Sequence, residues 1–466
     1  MRLSQATAAT LPDAVRRVEY DRDSAAHQIV HLGMGAFTRA HQAVLTEDAI
    51  AASGEIWRII GVSMRSTTVR DQLAPQDHLF TLTSKGEGAP VTRLVRCVGD
   101  AIVAPEEPER LVAALADPRT RVVTLTVTEK GYHLVPADAD LPASLCEDAA
   151  RATPQTIYGY FAQGLEQRRA KGLSGLTILS CDNLAENGTR LREVLLRVLA
   201  VRHPALAEWC AVHCTFPNSM VDRIVPAIQP ADLDALEVRI GLRDEAAVFT
   251  EPFRQWVIED SFAGPRPAWD AVGAQIVADV RPYETAKLRM LNGAHSALAY
   301  LGLAKGLELV SQAIADPQIG ALVGRLMRDE AAESFTPAPE QDLAAYADSL
   351  IARFANPALP HRLAQIAMDG SQKIPQRWLA TLADRQAQGK ASPAILQALA
   401  AWIVHVRGDN PNVSDPRAEQ LAALWRTAGA EGIVAALFDA GGPMASSWVP
   451  TPEDRAALNA HIAALG

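Results

Sequence analysis

The sequence predicts an α/β domain with a mostly parallel sheet, followed by a mostly α-helical domain, the change falling near residue 280. Three observations carry this. Up to that point short β-branched runs alternate with longer helical patterns, as parallel strands joined by helices on both faces require. The first strand runs directly into Gly33-Met34-Gly35, a turn that opens a helix. Beyond residue 281 the strand signals stop and apolar residues recur at helical spacing. A chain of 466 residues is long enough for two or three cores, and we divide it into domains 1–280 and 281–466.

In order, the strand candidates are 28–32, 57–63, 121–127, 176–181 and 212–216, with helical patterns between several of them, such as 155–170 and 186–201. Segments 79–84 and 91–98 flank Lys85-Gly86-Glu87-Gly88-Ala89-Pro90, which reads as a hairpin inserted into the α/β core. The helical domain is expected over 297–309, 322–332, 343–354, 394–406 and 418–427, with breaks at Thr336-Pro337-Ala338-Pro339 and Arg407-Gly408-Asp409-Asn410-Pro411. No internal repeat or low-complexity tract is visible.

Apolar residues make up 48% and charged residues 21%, a globular composition. The net charge of −10 opposes nucleic-acid binding, which needs a basic footprint. The N-terminus lacks the apolar core of a secretory signal, and no uninterrupted apolar run approaches the length of a membrane span. Five cysteines in a chain this long fit a reducing cytoplasm rather than a disulfide framework. Cys210 and Cys214 bracket His213, but no second pair of spaced ligands follows. Buried thiols are therefore the reading, and no metal is expected.

At the first turn, Gly33 would permit the sharp reversal and Gly35 the close approach of a pyrophosphate. Ala36 and Phe37 would open a helix whose N–H groups and dipole favour an anion. Thr38 stands where the dinucleotide fingerprint has its third glycine. After the second strand, Val62-Ser63-Met64-Arg65-Ser66-Thr67-Thr68 contains no carboxylate for the adenosine ribose. Arg65 could meet a 2′-phosphate or be a surface residue, so NAD is expected with NADP open.

The chemistry is read from Tyr283-Glu284-Thr285-Ala286-Lys287-Leu288-Arg289-Met290-Leu291-Asn292-Gly293-Ala294-His295. Oxidising an alcohol with a nicotinamide needs a base and donors for the developing oxyanion. Lys287 is a base if its pKa falls from about 10.4 toward 7–8. Asn292 and His295, three apart, share a helix face. On an ideal helix, Lys287 would lie about 12 Å from His295, so a bend must close part of the gap. Gly293 would allow close approach of substrate or backbone. Asn183, in Ser180-Cys181-Asp182-Asn183, could donate a second hydrogen bond. Asp222, before Arg223, could hold a substrate hydroxyl or pair with that arginine.

These strings, with Thr126 to Tyr132 and Glu251 to Ser261, make the chain resemble, nearly end to end, the polyol-specific long-chain dehydrogenases: the mannitol dehydrogenase and fructuronate reductase family. The resemblance implies a Rossmann-type N-terminal domain, a helical C-terminal domain and zinc-independent chemistry. It implies that Lys287 is the general acid/base, that Asn183 and Asn292 form the oxyanion site, and that His295 positions the reacting oxygen. It further implies that Asp222 lines the pocket and that Glu284 passes the lysine's proton to solvent. Thr38 departs from the histidine that many relatives carry after Phe37.

Thr128-Glu129-Lys130-Gly131-Tyr132 and the run from Ile366 to Arg377 resemble the fructuronate reductase (D-mannonate oxidoreductase) branch, whereas Met64 to Gln76 leans to the mannitol branch. A hexuronate brings a carboxylate that mannitol lacks, and burying it calls for a cation. Lys130, Arg362 and Lys373 are the candidates. The expectation is a cytoplasmic NAD(P)-dependent enzyme, monomeric or a small homo-oligomer, interconverting D-fructuronate and D-mannonate. A mannitol 2-dehydrogenase or related polyol dehydrogenase is the alternative, and a non-catalytic nucleotide-binding regulator the remote one.

Overall fold

The computed structural model describes residues 1–86, 88–135, 139–358 and 360–465. The chain forms two compact units, Met1–Val280 and Arg281–Gly466.

The N-terminal unit is built on five parallel strands: β1 (His27–Leu32), β2 (Trp57–Ser63), β5 (Val98–Val103), β6 (Thr120–Leu125) and β7 (Thr177–Ser180), in the order β5-β2-β1-β6-β7. Period-two alternation sends their side chains to opposite faces. Val30, Leu32, Ile60, Val62, Val123 and Leu125 pack into one core with Tyr158, Phe161, Leu195 and Val198. Ile29, Ile59, Val122 and Leu179 pack into the other with Ala43, Val44 and Ile50. Both faces are covered, which is why these strands read as nearly continuous apolar runs.

The expected hairpin is present. β3 (Phe80–Ser84) pairs antiparallel with β4 (Val91–Val95), Ser84 opposite Val91; Glu87, in its turn, lies outside the described residues. β3 also pairs in parallel with β9 (Val248–Thr250). A third sheet joins β10 (Gln255–Glu259) to β8 (Ser219–Asp222) and β11 (Gln275–Val277).

One strand expectation fails. Residues 212–213 close the helix Pro204–His213, and Thr215 makes only an isolated bridge to Thr177. Pro204 starts that helix at the position where its missing N–H costs nothing, and Val212 faces solvent. The five cysteines are buried and free.

The C-terminal unit is helical around one core. Its first helix changes pitch: Arg281–Ala286 is α, Lys287–Asn292 is π, and Gly293–Ala304 is α again. The expected helix 297–309 thus begins earlier and stops at Ala304, before Gly306 (φ 73°). Two further π turns, Leu326–Ala331 and Pro375–Leu379, pack against the first.

Helix Ala418–Phe438 continues well past the expected 427, with Gly429 (φ 65°, ψ 179°) interrupting it. By length and a mean hydropathy of 1.3 alone it could cross a membrane, although Glu419, Arg426 and Glu431 interrupt its apolar residues. Its Leu421, Trp425, Ile433, Val434 and Phe438 instead enter the unit's core.

Glu330, in the second π turn, is buried and accepts the amides of Ala394 (2.7 Å) and Ile395 (2.8 Å) at the start of helix Pro393–His405. A carboxylate there meets orphan N–H groups and the positive helix end. Glu330→Ala should destabilise the protein by about 2–3 kcal/mol, read as a lower urea midpoint at unchanged m-value.

Candidate active site

In the N-terminal unit the candidate residues cluster at the carboxyl edge of the parallel sheet, where open α/β sheets bind ligands. Gly33 to Phe37 follow β1, Arg65 follows β2, Lys130 follows β6 and Asn183 follows β7. Arg65, Lys130 and Asn183 are exposed.

The turn after β1 needs its first glycine. Gly33 adopts φ +90°, and a Cβ there would lie 2.1 Å from the Thr126 carbonyl oxygen. The amides of Gly33 and Met34 both donate to Val62 O, at 2.8 and 2.9 Å. Nothing but the Gly33 carbonyl comes within 4 Å of a Cβ built on Gly35, so that side of the turn is open to a phosphate. The helix that follows begins at Ala36, and its first amides have no intrahelical acceptor. These residues fit a dinucleotide pyrophosphate. Phe37 stacks on His41, with ring centroids 5.1 Å apart.

Thr38 is fully buried beneath this turn. Its hydroxyl lies 2.5 Å from His31 Nε2 and 3.0 Å from Thr126 Oγ1. Thr126 Oγ1 in turn donates to the Gly33 carbonyl at 2.9 Å, and His31 Nδ1 meets Thr124 Oγ1 at 2.7 Å. Burial pushes the His31 pKa down to about 3, so the imidazole stays neutral. Sequence reasoning singled out Thr38 as a departure but could not show what its hydroxyl does.

Asp182 ties two loops of this edge together. It accepts the amides of Val127 and Thr128 at 2.9 and 3.0 Å and the Tyr132 hydroxyl at 2.6 Å, and burial raises its pKa. Asp222 is buried at the end of β8. The Arg223 guanidinium is committed to the carbonyls of Ala40 and Glu251.

In the C-terminal unit the π turn answers the spacing problem. Five residues of α-helix leave two side chains about 140° apart, whereas an i→i+5 turn stacks them. Lys287 and Asn292 are five apart across the π turn, and His295 is one α-turn further. All three therefore share one face. Between Met290 and Tyr300 only Asn292 and His295 are not fully buried.

The third π turn braces this region: Arg377 Nη1 donates to Asn292 O (3.2 Å) and to Ser296 Oγ (2.8 Å), and Trp378 Nε1 donates to Gly293 O (3.2 Å). A Cβ on Gly293 would just touch that indole, at 3.4 Å.

The His295 ring packs against Phe354 and His361, with centroids 4.7 and 5.2 Å away. Burial, then the neighbouring His361, Arg353 and Arg377, hold its pKa well below the ordinary histidine value. Among the described residues its buried Nε2 has no hydrogen-bond partner.

Lys373 is half-buried and donates to Met368 O at 2.5 Å, with its pKa lowered by burial and then by Arg377. Burial brings Arg377 down to about 10. Arg362 is exposed beside the helix Leu363–Ile366 and follows His361 directly in sequence. Arg377 was missed as a site residue; its place four after Lys373, on the same helix face, was the available signal.

The mannitol dehydrogenase Rossmann-domain family model matches residues 27–271, and the mannitol dehydrogenase C-terminal-domain model matches residues 279–440. The chain belongs to the mannitol dehydrogenase family. It is 41% identical to the D-mannonate oxidoreductase of Escherichia coli over 84% of this chain and 83% of that one. It is 35% identical to the mannitol 2-dehydrogenase of Aspergillus terreus, over 90% and 87%. The Pseudomonas fluorescens mannitol 2-dehydrogenase, solved in ternary complex with NAD and D-mannitol, superposes with a TM-score of 0.83 at 34% identity, covering 100% of this chain and 97% of that one. A substrate-free D-sorbitol dehydrogenase superposes at 0.89 with 30% identity, over 99% and 97%. As a mannitol dehydrogenase family member the chain is an oxidoreductase acting on a CH–OH group.

Thr38→Val leaves His31 and Thr126 short of a buried partner under the glycine turn. It should weaken NADH binding about tenfold in a fluorescence titration, with Thr38→Ser restoring it. An unchanged Kd in folded Thr38→Val would show that the hydroxyl does not shape the turn.

Proposed function

We propose that this protein is an NAD(P)-dependent oxidoreductase interconverting D-fructuronate and D-mannonate, with Lys287 as general acid/base. The observation that carries the reading is the face holding Lys287, Asn292 and a neutral His295 with an unpartnered Nε2, beside the cations Lys373 and Arg377. Among the described residues neither cation has a carboxylate within ion-pair distance, Asp369 and Asp415 acting on Lys373 only from further away. A substrate carboxylate would offset such half-buried charge. The greater identity to D-mannonate oxidoreductase than to mannitol 2-dehydrogenase supports the same choice.

A nicotinamide dinucleotide, held at Gly33, Gly35, Ala36 and Phe37, supplies the hydride in reduction and takes it in oxidation. NAD is favoured by the complex of the Pseudomonas relative. In reduction Lys287 gives its proton to the carbonyl oxygen while the Asn292 amide donates to the same oxygen as charge develops. His295 offers Nε2 to a substrate hydroxyl and orients it. In oxidation Lys287 must be neutral and accepts the carbinol proton. Glu284, half-buried three residues earlier on the helix, is assigned the onward passage of that proton by resemblance, as Asn183 and Asp222 are assigned contacts with the substrate.

Lys287→Ala should lower kcat by about a thousandfold with NADH affinity within twofold of wild type; weakened cofactor binding with near-normal turnover would refute the role. Wild-type oxidation should rise with pH through a single ionisation that the variant lacks. His295 adds no inflection above about pH 6.5, because its depressed pKa keeps it neutral. By the same sign its buried neutral form costs stability only as pH falls below that value, where the unfolded chain binds the extra proton.

The mannitol 2-dehydrogenase reading is favoured by the likeness to the Pseudomonas enzyme in complex with D-mannitol. NADH oxidation with fructuronate and with fructose separates the two. Turnover on fructose alone would overturn the hexuronate assignment.

A further inference from the structure

A cavity of about 220 Å³ opens at the amino ends of β2 and β5, the edge of the sheet opposite the glycine turn. Across the length of β2 the two edges are about 20 Å apart. Its polar wall is basic, made by Arg22, Arg58, Arg96 and His78, beside Trp57 and Gly99.

The arginines are fixed mainly by backbone carbonyls, which orient them without cancelling their charge. Arg22 donates to Asp77 O and Val98 O, and Arg58 to Gly99 O at 2.6 Å. Arg96 donates to Val18 O and Tyr20 O and alone has a carboxylate partner, Glu19 at 2.7 Å. Among the described residues no carboxylate lies within ion-pair distance of Arg22 or Arg58. Two carboxylates, Asp23 and Asp77, are exposed at the rim, and Asp77 accepts the Gln5 amide. His78 stands 4.0 Å from Asp100.

Three further features belong to a built site. Arg58 Nε and Trp57 Nε1 are buried donors with no acceptor among the described residues. A Cβ on Gly99 would sit 1.9 Å from Arg58 Nε, so this glycine is what lets the guanidinium lie across β5. Asp77 and His78 are consecutive left-handed residues, φ 52° and 62°, a conformation that costs energy away from glycine and clusters at ligand sites. Burial and the mutual repulsion of Arg22, Arg58 and Arg96 depress the Arg22 pKa, and burial with Arg22 and Arg58 depresses that of His78. An adjoining cavity of about 270 Å³ shares Gln5, Arg22 and Arg96 and adds Arg17.

We propose that this cavity is a binding site for a phosphate group, free or carried on a small ester, separate from the cofactor turn. Arginine forks match phosphate oxygens bidentately. A phosphate monoester, at close to −2, offsets the arginine cluster better than a single carboxylate does, and the volume admits a small carbon skeleton as well.

The test is calorimetric titration of the full-length protein with glucose 6-phosphate, inorganic phosphate and acetate, with and without saturating NADH. One phosphate-bearing ligand per chain should bind, acetate at least about tenfold more weakly, and NADH should leave the binding intact. Tighter binding of glucose 6-phosphate than of inorganic phosphate assigns an ester; equal binding assigns the free ion. Arg58→Met and Gly99→Ala should each weaken the phosphate at least about tenfold while NADH affinity stays unchanged. Arg22→Gln serves as a second probe should either fail to fold. No heat with either phosphate, acetate binding as tight as phosphate, loss of binding under NADH, or binding indifferent to Arg58→Met and Arg22→Gln would each overturn the proposal.

Discussion

The face proposed for catalysis depends on a helix that gives up its regular ladder for one turn. Widening to π pitch over Lys287–Asn292 brings a lysine and an asparagine five apart onto one side. Arg377 and Trp378, from the third π turn, donate to Asn292 O and Gly293 O, where the widened turn gives way to α pitch. One pair of side chains thus holds in place the backbone that positions the Asn292 amide. Arg377 serves a second purpose, since its charge helps to keep His295 neutral.

The glycine turn follows a parallel logic. Its sharp reversal is possible because Gly33 has no Cβ to meet the Thr126 carbonyl. Its register is held from below by His31 and Thr38, both fully buried, and by the half-buried Thr126. Buried polar groups of this kind hold a shape only when they satisfy one another. At both places the exposed functional surface is defined by a concealed hydrogen-bond network.

Much of this was legible in sequence. The parallel core strands could be read because burial on both faces made them apolar runs, and the hairpin because its turn is rich in glycine. The segment at 212–216 misled because Pro204 and an exposed Val212 gave a helix end the look of a strand. The three-residue strands β9 and β11 carry too few residues for a period to register. Lys287, Asn292 and His295 were visible as residue types, but the π pitch that aligns them was not, because it arises from packing between helices. What Arg377 and the Thr38 hydroxyl do was hidden for a related reason: each acts through a partner remote in sequence.

The pairing of β3 with β9 sets Leu82 opposite Val248, and the first residues of the chain are held by Arg243, through Leu3 N to Arg243 O at 2.8 Å and Arg243 N to Met1 O at 2.7 Å. The N-terminal unit therefore cannot close on itself while the ribosome is still making its middle. The first residues of the chain and one edge of β3 must wait until residues 243–250 emerge, that edge standing unpaired in the interval. The helical unit also joins separated segments, as Arg377 to Asn292, but across shorter stretches of chain. On a growing chain, the unit synthesised first contains the slowest contacts to form.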